Sequence, residues 1–227
     1  MSLTIDPQCA GLCIKIGAAG LPNLCAILGV LAIVLLLGVS SLGFFVVNLH
    51  GFLAKNDPVA TEVLVVEGWL PDYAIAAAMT EFQTGGYKTL ITVGAPVPRG
   101  FHLSEYKTFA EVAAATLVAQ GFNPHQLQIV STDYAPECRT QNAATAFKHY
   151  WASSDAPPIQ SMNVFTLGPH ARRTWLVFRK VFPAPIQVGI IGTKVLAYNE
   201  RSWWRSSEGV RTVVAESIAY LYRRFGG

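Results

Sequence analysis

Charge is what this sequence has least of. Charged residues make up 14% of its 227 positions against 52% apolar residues, a low share for a soluble protein. The shortage is local: before Lys55 the only charged side chains are Asp6 and Lys15. The 16 basic and 13 acidic residues from Lys55 onward carry the net charge of +3. So small an excess, with no stripe of basic residues, speaks against a nucleic-acid partner. Cysteine is also sparse. Of Cys9, Cys13, Cys25 and Cys138, only Cys138 lies beyond the first apolar segment, so the later region has no internal disulfide. The Cys9–Cys13 spacing lacks the second pair that a zinc site needs. Also missing are a Gly-x-Gly-x-x-Gly fingerprint, a Walker loop, a Gly-x-Ser-x-Gly elbow and any His/Cys/carboxylate cluster at metal-ligand spacing. The sequence therefore calls for no cofactor and no metal. Internal repeats and low-complexity tracts are absent too.

What is present first is a long apolar run. Leu24 to Leu49 contains neither charge nor proline, and its centre reads Gly29-Val-Leu-Ala-Ile-Val-Leu-Leu-Leu-Gly38. At about 1.5 Å per residue such a helix reaches roughly 35 Å or more, enough to cross a bilayer. A buried core helix is rarely so long and apolar on every face. A cleaved signal peptide has a shorter apolar region and a basic start, which this chain lacks. An uncleaved signal anchor is the better reading. It divides the chain into a tail (1–23), an anchor (24–49), a linker (50–60) and one domain (61–227). Lys15 before the span and Lys55 after it, the latter offset by Asp57, lean weakly toward an amino terminus inside and the domain outside.

Beyond the linker, strand-like and helix-like patterns alternate. Short apolar runs at 62–66, 90–93, 127–130, 163–167 and 186–191 read as strands. Helical patterns fall between and after them: from Asp72, placed as an N-cap, to Gly85-Gly86; from about Ser104 to Gln120; from about Arg139 to Ser153; from about His170 to Phe182; and from about Ser206 to Phe225. The last helix repeats Val210, Val213, Val214, Ser217, Ile218, Leu221 and Phe225 at helical spacing. Such alternation predicts an α/β domain of three layers, with a mainly parallel five-stranded sheet, preceded by one transmembrane helix.

In such sheets ligands bind beyond the carboxyl ends of the strands, so five loops matter. They hold Glu67, Gly68, Trp69 and Asp72; Gly94 and Arg99; Glu137, Arg139 and Thr140; Gly168, His170, Arg172 and Arg173; and Arg201, Trp203, Trp204 and Arg205. Several of these cations sit at helix starts, where free N–H groups already favour anions. Arginine's planar fork suits phosphate or carboxylate. The alternative is that these arginines are solvated or pair with nearby acids. Glu67 and His170 are the candidates for acid–base work. Trp203 and Trp204 serve as a cleft wall, as a membrane-interface contact or as core.

Several segments together resemble the ElyC/SanA/YdcF family. They are Val63 through Gly86, Arg139-Thr140, Leu167-Gly-Pro-His170-Ala-Arg172-Arg173, and Trp203 through Arg211. The resemblance spans roughly residues 60–225. The run Thr140-Gln-Asn142-Ala143 lacks the family's glutamate, and Glu67-Gly68 replaces its usual Gly-Gly, which marks a divergent branch. The resemblance implies a Rossmann-like domain, anchored in the inner membrane with the domain outside the cytoplasm. It also implies a role in peptidoglycan or lipid-carrier metabolism, alongside envelope-synthesis proteins. The ligand expected at the strand ends is anionic or phosphorylated, lipid-linked or nucleotide-type. The alternative is a non-enzymatic envelope scaffold with a vestigial cleft.

Overall fold

The computed structural model describes residues 20–133 and 138–226. Glu137 therefore lies outside the described residues. The chain divides after Phe45 into two compact units. The first helix, α1 (Gly20–Leu53), contributes to both.

In the first unit α1 meets no core. From Ala26 to Phe45 every side chain is exposed. That stretch covers about 30 Å at 1.5 Å per residue, the thickness of a bilayer's hydrocarbon core. The apolar helix Ala26–Leu53 is long and apolar enough to cross a membrane.

The second unit begins while α1 is still helical. Leu53 is buried with Val195, Tyr198, Trp203 and Val213, and Val46 and Leu49 pack against that cluster. The indole Nε1 of Trp203 donates to the Val46 carbonyl at 3.1 Å. The residues read as the start of a linker, 50–53, thus close a helix inside a packed core.

A five-stranded, all-parallel sheet forms the centre: β1 (Val63–Glu67), β2 (Thr89–Gly94), β3 (Leu127–Ser131), β4 (Ser161–Leu167) and β5 (Gln187–Thr193). The strand order is β3-β2-β1-β4-β5, so the winding reverses between β1 and β4. The helices are α2 (Asp72–Thr84), α3 (Phe109–Ala119), α4 (Arg139–Ser153), α5 (Ala171–Val181) and α6 (Ser207–Phe225). Alternation along each strand sorts the core into two layers. Val63, Val65, Ile91 and Val164 pack with Ala144 and Phe147 of α4 and Val177 and Phe178 of α5. Leu64, Val66, Leu90 and Phe165 face Ala74, Ile75 and Ala78 of α2 and Ala113 and Leu117 of α3. This is the three-layer, Rossmann-like α/β arrangement that the pattern predicts.

Two local expectations are corrected. Helix α3 starts at Phe109 rather than near Ser104, because Thr108 and Glu111 form a capping box there. Pro71, not Asp72, is the N-cap of α2, and Asp72 is the first helical residue, where its charge complements the helix dipole. Along the apolar repeat of α6, Val213 is buried while Ile218, Leu221 and Phe225 are exposed.

Gly68 and Gly94 let α3 approach the strand ends closely. A Cβ on Gly94 would lie 2.5 Å from the Ala110 nitrogen, and one on Gly68 would overlap the Phe109 carbonyl. Backbone atoms cannot yield as a side chain tip does. Gly68→Ala and Gly94→Ala are each expected to lower stability by about 1–3 kcal/mol, measured as chemical unfolding of the full chain in detergent.

Candidate functional site

The site grows from the reversal between β1 and β4, the place where a doubly wound sheet opens a crevice. Glu67 ends β1 on the parity of Val63 and Val65, so its carboxylate turns toward α4 and α5. It is 3% exposed. The register pairs Val66 with Phe165, which brings Thr166 beside it. Glu67 Oε2 accepts hydrogen bonds from the Thr166 hydroxyl and, at 3.4 Å, from the Thr174 hydroxyl of α5.

His170 closes the short 3₁₀ turn Gly168–His170 that links β4 to α5. Its Nε2 lies 3.4 Å from Glu67 Oε2. That is ion-pair range, but it makes no hydrogen bond, and the buried Nε2 has no hydrogen-bond partner among the described residues. Its Nδ1 stands 3.0 Å from Glu216 Oε1. An ionised carboxylate only accepts, so Nδ1 carries a proton. Arg173 Nη2 comes within 2.9 Å of the same Nδ1. With both nitrogens protonated this is no hydrogen bond; the two donors crowd together around one carboxylate. Arg173 grips Glu216 in the bidentate fashion of charge-assisted pairs, with Nε at 2.8 Å from Oε2 and Nη2 at 3.1 Å from Oε1. Its Nη1 reaches Thr140 Oγ1 at 3.4 Å.

The electrostatics follow from this packing. Burial pushes His170 down, but the carboxylates of Glu67 and Glu216 outweigh it and raise the imidazole to about 9. Burial pushes Glu67 up, and the charge of His170, its contact and the Thr166 hydroxyl more than reverse that, so Glu67 titrates below its ordinary value. Glu216 is likewise pushed up by burial and drawn down to about 2 by its bonds to His170 and Arg173. At neutral pH the four groups are all ionised and sum to zero.

Around this cluster lies a cleft of about 550 Å³. Trp69 forms one wall, its ring set edge-on to His170 with centroids 5.0 Å apart. Phe109, Gly94 and Ala143 contribute apolar surface. The amino terminus of α4 opens into it through Cys138, Arg139 and Thr140, and the Cys138 side chain makes no capping hydrogen bond. Arg139 has no partner among the described residues, and Arg223 of α6 stands at the same cleft, bonded to Gln141 at 3.1 Å. Among the described residues four cations and two carboxylates line the cleft, a sum of +2 with His170 protonated.

Of the residues singled out in the sequence, the structure brings Glu67, Trp69, Gly94, Arg139, Thr140, His170 and Arg173 to one cleft. The others lie elsewhere. Arg172 turns the opposite way: its Nε donates to the Phe52 carbonyl and its guanidinium stacks over the Phe52 ring at 3.8 Å. Consecutive helical residues point about 100° apart, so only one of Arg172 and Arg173 can face the crevice. Asp72 and Arg99 are exposed outside the cleft. Trp203 is buried against Leu53 and Val213 rather than forming a wall. Gly68 and Gly168 are packing positions; a Cβ on Gly168 would overlap Val195, and its φ is +40°. The sequence pattern missed Glu216 and Arg223, which reach the cleft from inside a helix and not from a strand-end loop.

No protein-family model matches the chain, and no curated protein matches it.

The cluster makes stability depend on pH from two sides. His170 is raised above its unfolded value of 6.5, so its contribution is full below that pH and is lost as pH climbs through about 9. Glu216 is depressed from 4.5, so its contribution is full above that pH and is lost as pH falls toward about 2. Unfolding free energy of the full chain is expected to peak between these arms. Glu216→Gln is expected to lower the His170 pKa in a histidine NMR titration and to cost about 3 kcal/mol, because it leaves two buried cations facing each other.

Proposed function

We propose that the cleft binds a phosphorylated ligand beyond the carboxyl ends of β1 and β4. The observation that carries this reading is the division of charge in the cleft. His170 and Arg173 are already neutralised by Glu67 and Glu216, so they form a rigid floor. Among the described residues no carboxylate in the cleft pairs with Arg139 or Arg223, and they stand beside the start of α4, where Cys138 supplies no side-chain cap. A helix amino terminus with an arginine beside it meets phosphate through N–H groups and a bidentate fork. Trp69 and Phe109 offer apolar surface to whatever the phosphate is attached to.

Glu67 is held too firmly ionised to be an effective base, and both threonine hydroxyls already use its inner oxygen. His170 is protonated at neutral pH, and among the described residues of the cleft it is the group suited to proton donation. The reading is thus a binding site whose chemistry, where a reaction occurs, leans on His170.

The resemblance to the ElyC/SanA/YdcF family supports placing that ligand in envelope metabolism. On that reading the chain is a single-pass protein of the inner membrane, with its domain on the extracytoplasmic side and a polyprenyl phosphate or sugar-phosphate precursor as ligand. A second reading, a non-enzymatic envelope scaffold, draws on the charge neutrality of the Glu67–His170–Arg173–Glu216 cluster. Retention of full function by a Glu67→Ala, His170→Ala double variant would favour the scaffold.

Inorganic pyrophosphate is expected to raise the melting temperature of the full chain in detergent. Arg139→Ala should weaken that binding by roughly tenfold or more, the loss of a charge-assisted hydrogen bond of about 1.5–3 kcal/mol. Arg172→Ala should leave the affinity unchanged. Equal loss in both variants, or no shift with pyrophosphate at all, would overturn the proposal.

A further inference from the structure

Helix α6 is apolar on two sides. One side packs on the domain through Gly209, Val213 and, against Phe52, Tyr220. On the other, Val210, Val214, Ile218, Leu221, Tyr222 and Phe225 are all exposed, Ile218 by 64% and Phe225 by 78%. At 3.6 residues per turn these six fall within about a third of the helix circumference, so they form one stripe. An apolar stripe of this length on a surface helix marks a contact.

The charges beside the stripe point to what covers it. After Glu216 no acidic residue follows in α6, while Arg223 and Arg224 sit among Tyr222 and Phe225. The Arg224 guanidinium lies 5.4 Å from the Phe225 ring. Aromatic rings interleaved with arginine suit the boundary between lipid tails and anionic headgroups. A second copy of α6 fits less well. Paired in parallel, it would set Arg223 and Arg224 against their equivalents. Paired antiparallel, it would offer them Glu208, which Arg211 already holds at 2.7 Å. The end of α1 that belongs to the globular unit is tied to the residues just before α6. Val46, where the globular unit begins, accepts a hydrogen bond from Trp203, and α6 starts four residues after Trp203.

We propose that the exposed stripe of α6 lies in the headgroup region of an anionic bilayer, the one that α1 enters. The inference rests on α1 as a membrane anchor and is independent of what the cleft binds. It gives α6 two faces with separate tasks. The inner face carries Glu216 and Arg223 to the cleft, and the outer face rests on lipid.

The test uses the full chain reconstituted in phosphatidylcholine vesicles with and without phosphatidylglycerol. A photoreactive benzoylphenylalanine replaces Ile218 or Leu221, with exposed His125 as the aqueous control and Leu35 as the anchor control. Lipid adducts at positions 218 and 221 are expected to exceed those at 125 by about tenfold in phosphatidylglycerol vesicles. Arg224→Gln should lower them about fivefold, the worth of roughly 1 kcal/mol per cation at an anionic surface. A cross-linked dimer through 218 or 221 would overturn the proposal in favour of self-association. Adducts at 35 but none at 218 and 221 would overturn it and leave the anchor standing. Absence of adducts at 35 would remove the anchor itself, and the proposal with it.

Discussion

A carboxylate buried at the end of the first strand is the constraint on which the middle of this molecule depends. Glu67 is 3% exposed, and an isolated ion at that depth is too costly to keep. It is kept because hydroxyls from β4 and α5 and the charge of His170 surround it. His170 in turn keeps its charge only because Glu216 faces its other nitrogen, and Glu216 is itself balanced by Arg173. Four elements far apart in the chain — β1, β4, α5 and α6 — are thereby tied to one polar knot. Buried ionic networks of this kind contribute little net stability over a well-packed apolar core. Their effect is to fix one arrangement, since any slip of α6 would leave a charge alone.

Much of the fold is legible in the sequence because the strands are short, β-branched and separated by helices of ordinary length. Apolar runs of that form can only be buried on both faces, so they pair in parallel with helices above and below. The order β3-β2-β1-β4-β5 is not legible, since every strand offers the same pattern. Helix α6 misleads for a related reason: periodicity reports an apolar face without saying what lies against it. Val213 packs inward while its neighbours Val210 and Val214 do not.

The site was half legible. Strand-end loops are where a doubly wound sheet places chemistry, and Glu67, Arg139, Thr140, His170 and Arg173 came from them. Choosing between Arg172 and Arg173 needs the helical phase of α5, which adjacent residues in a sequence do not reveal. Glu216 lies 46 positions from His170, in a helix interior that no loop rule searches. One signal was present: on the side of α6 that carries Val213 and Tyr220, Glu216 is a lone acid among apolar neighbours. A charge placed where packing is expected has a partner waiting. The same division sorts the described cations of the cleft: those inside the knot are paired with carboxylates, and Arg139 and Arg223 have no carboxylate partner among the described residues.

The last turns of α1 have a consequence for how the protein is made. Leu53 is fully enclosed, and the Val46 carbonyl holds an indole. A helix long and apolar enough to cross a membrane therefore also supplies building material to the domain. Processing after Val46 would excise part of a core and leave Trp203 and Val213 facing water. A soluble form with its interior intact can arise only from a cut upstream of that residue, within the apolar stretch itself. Maturation by trimming and preservation of the fold are set against each other by eight residues of shared helix, Val46–Leu53.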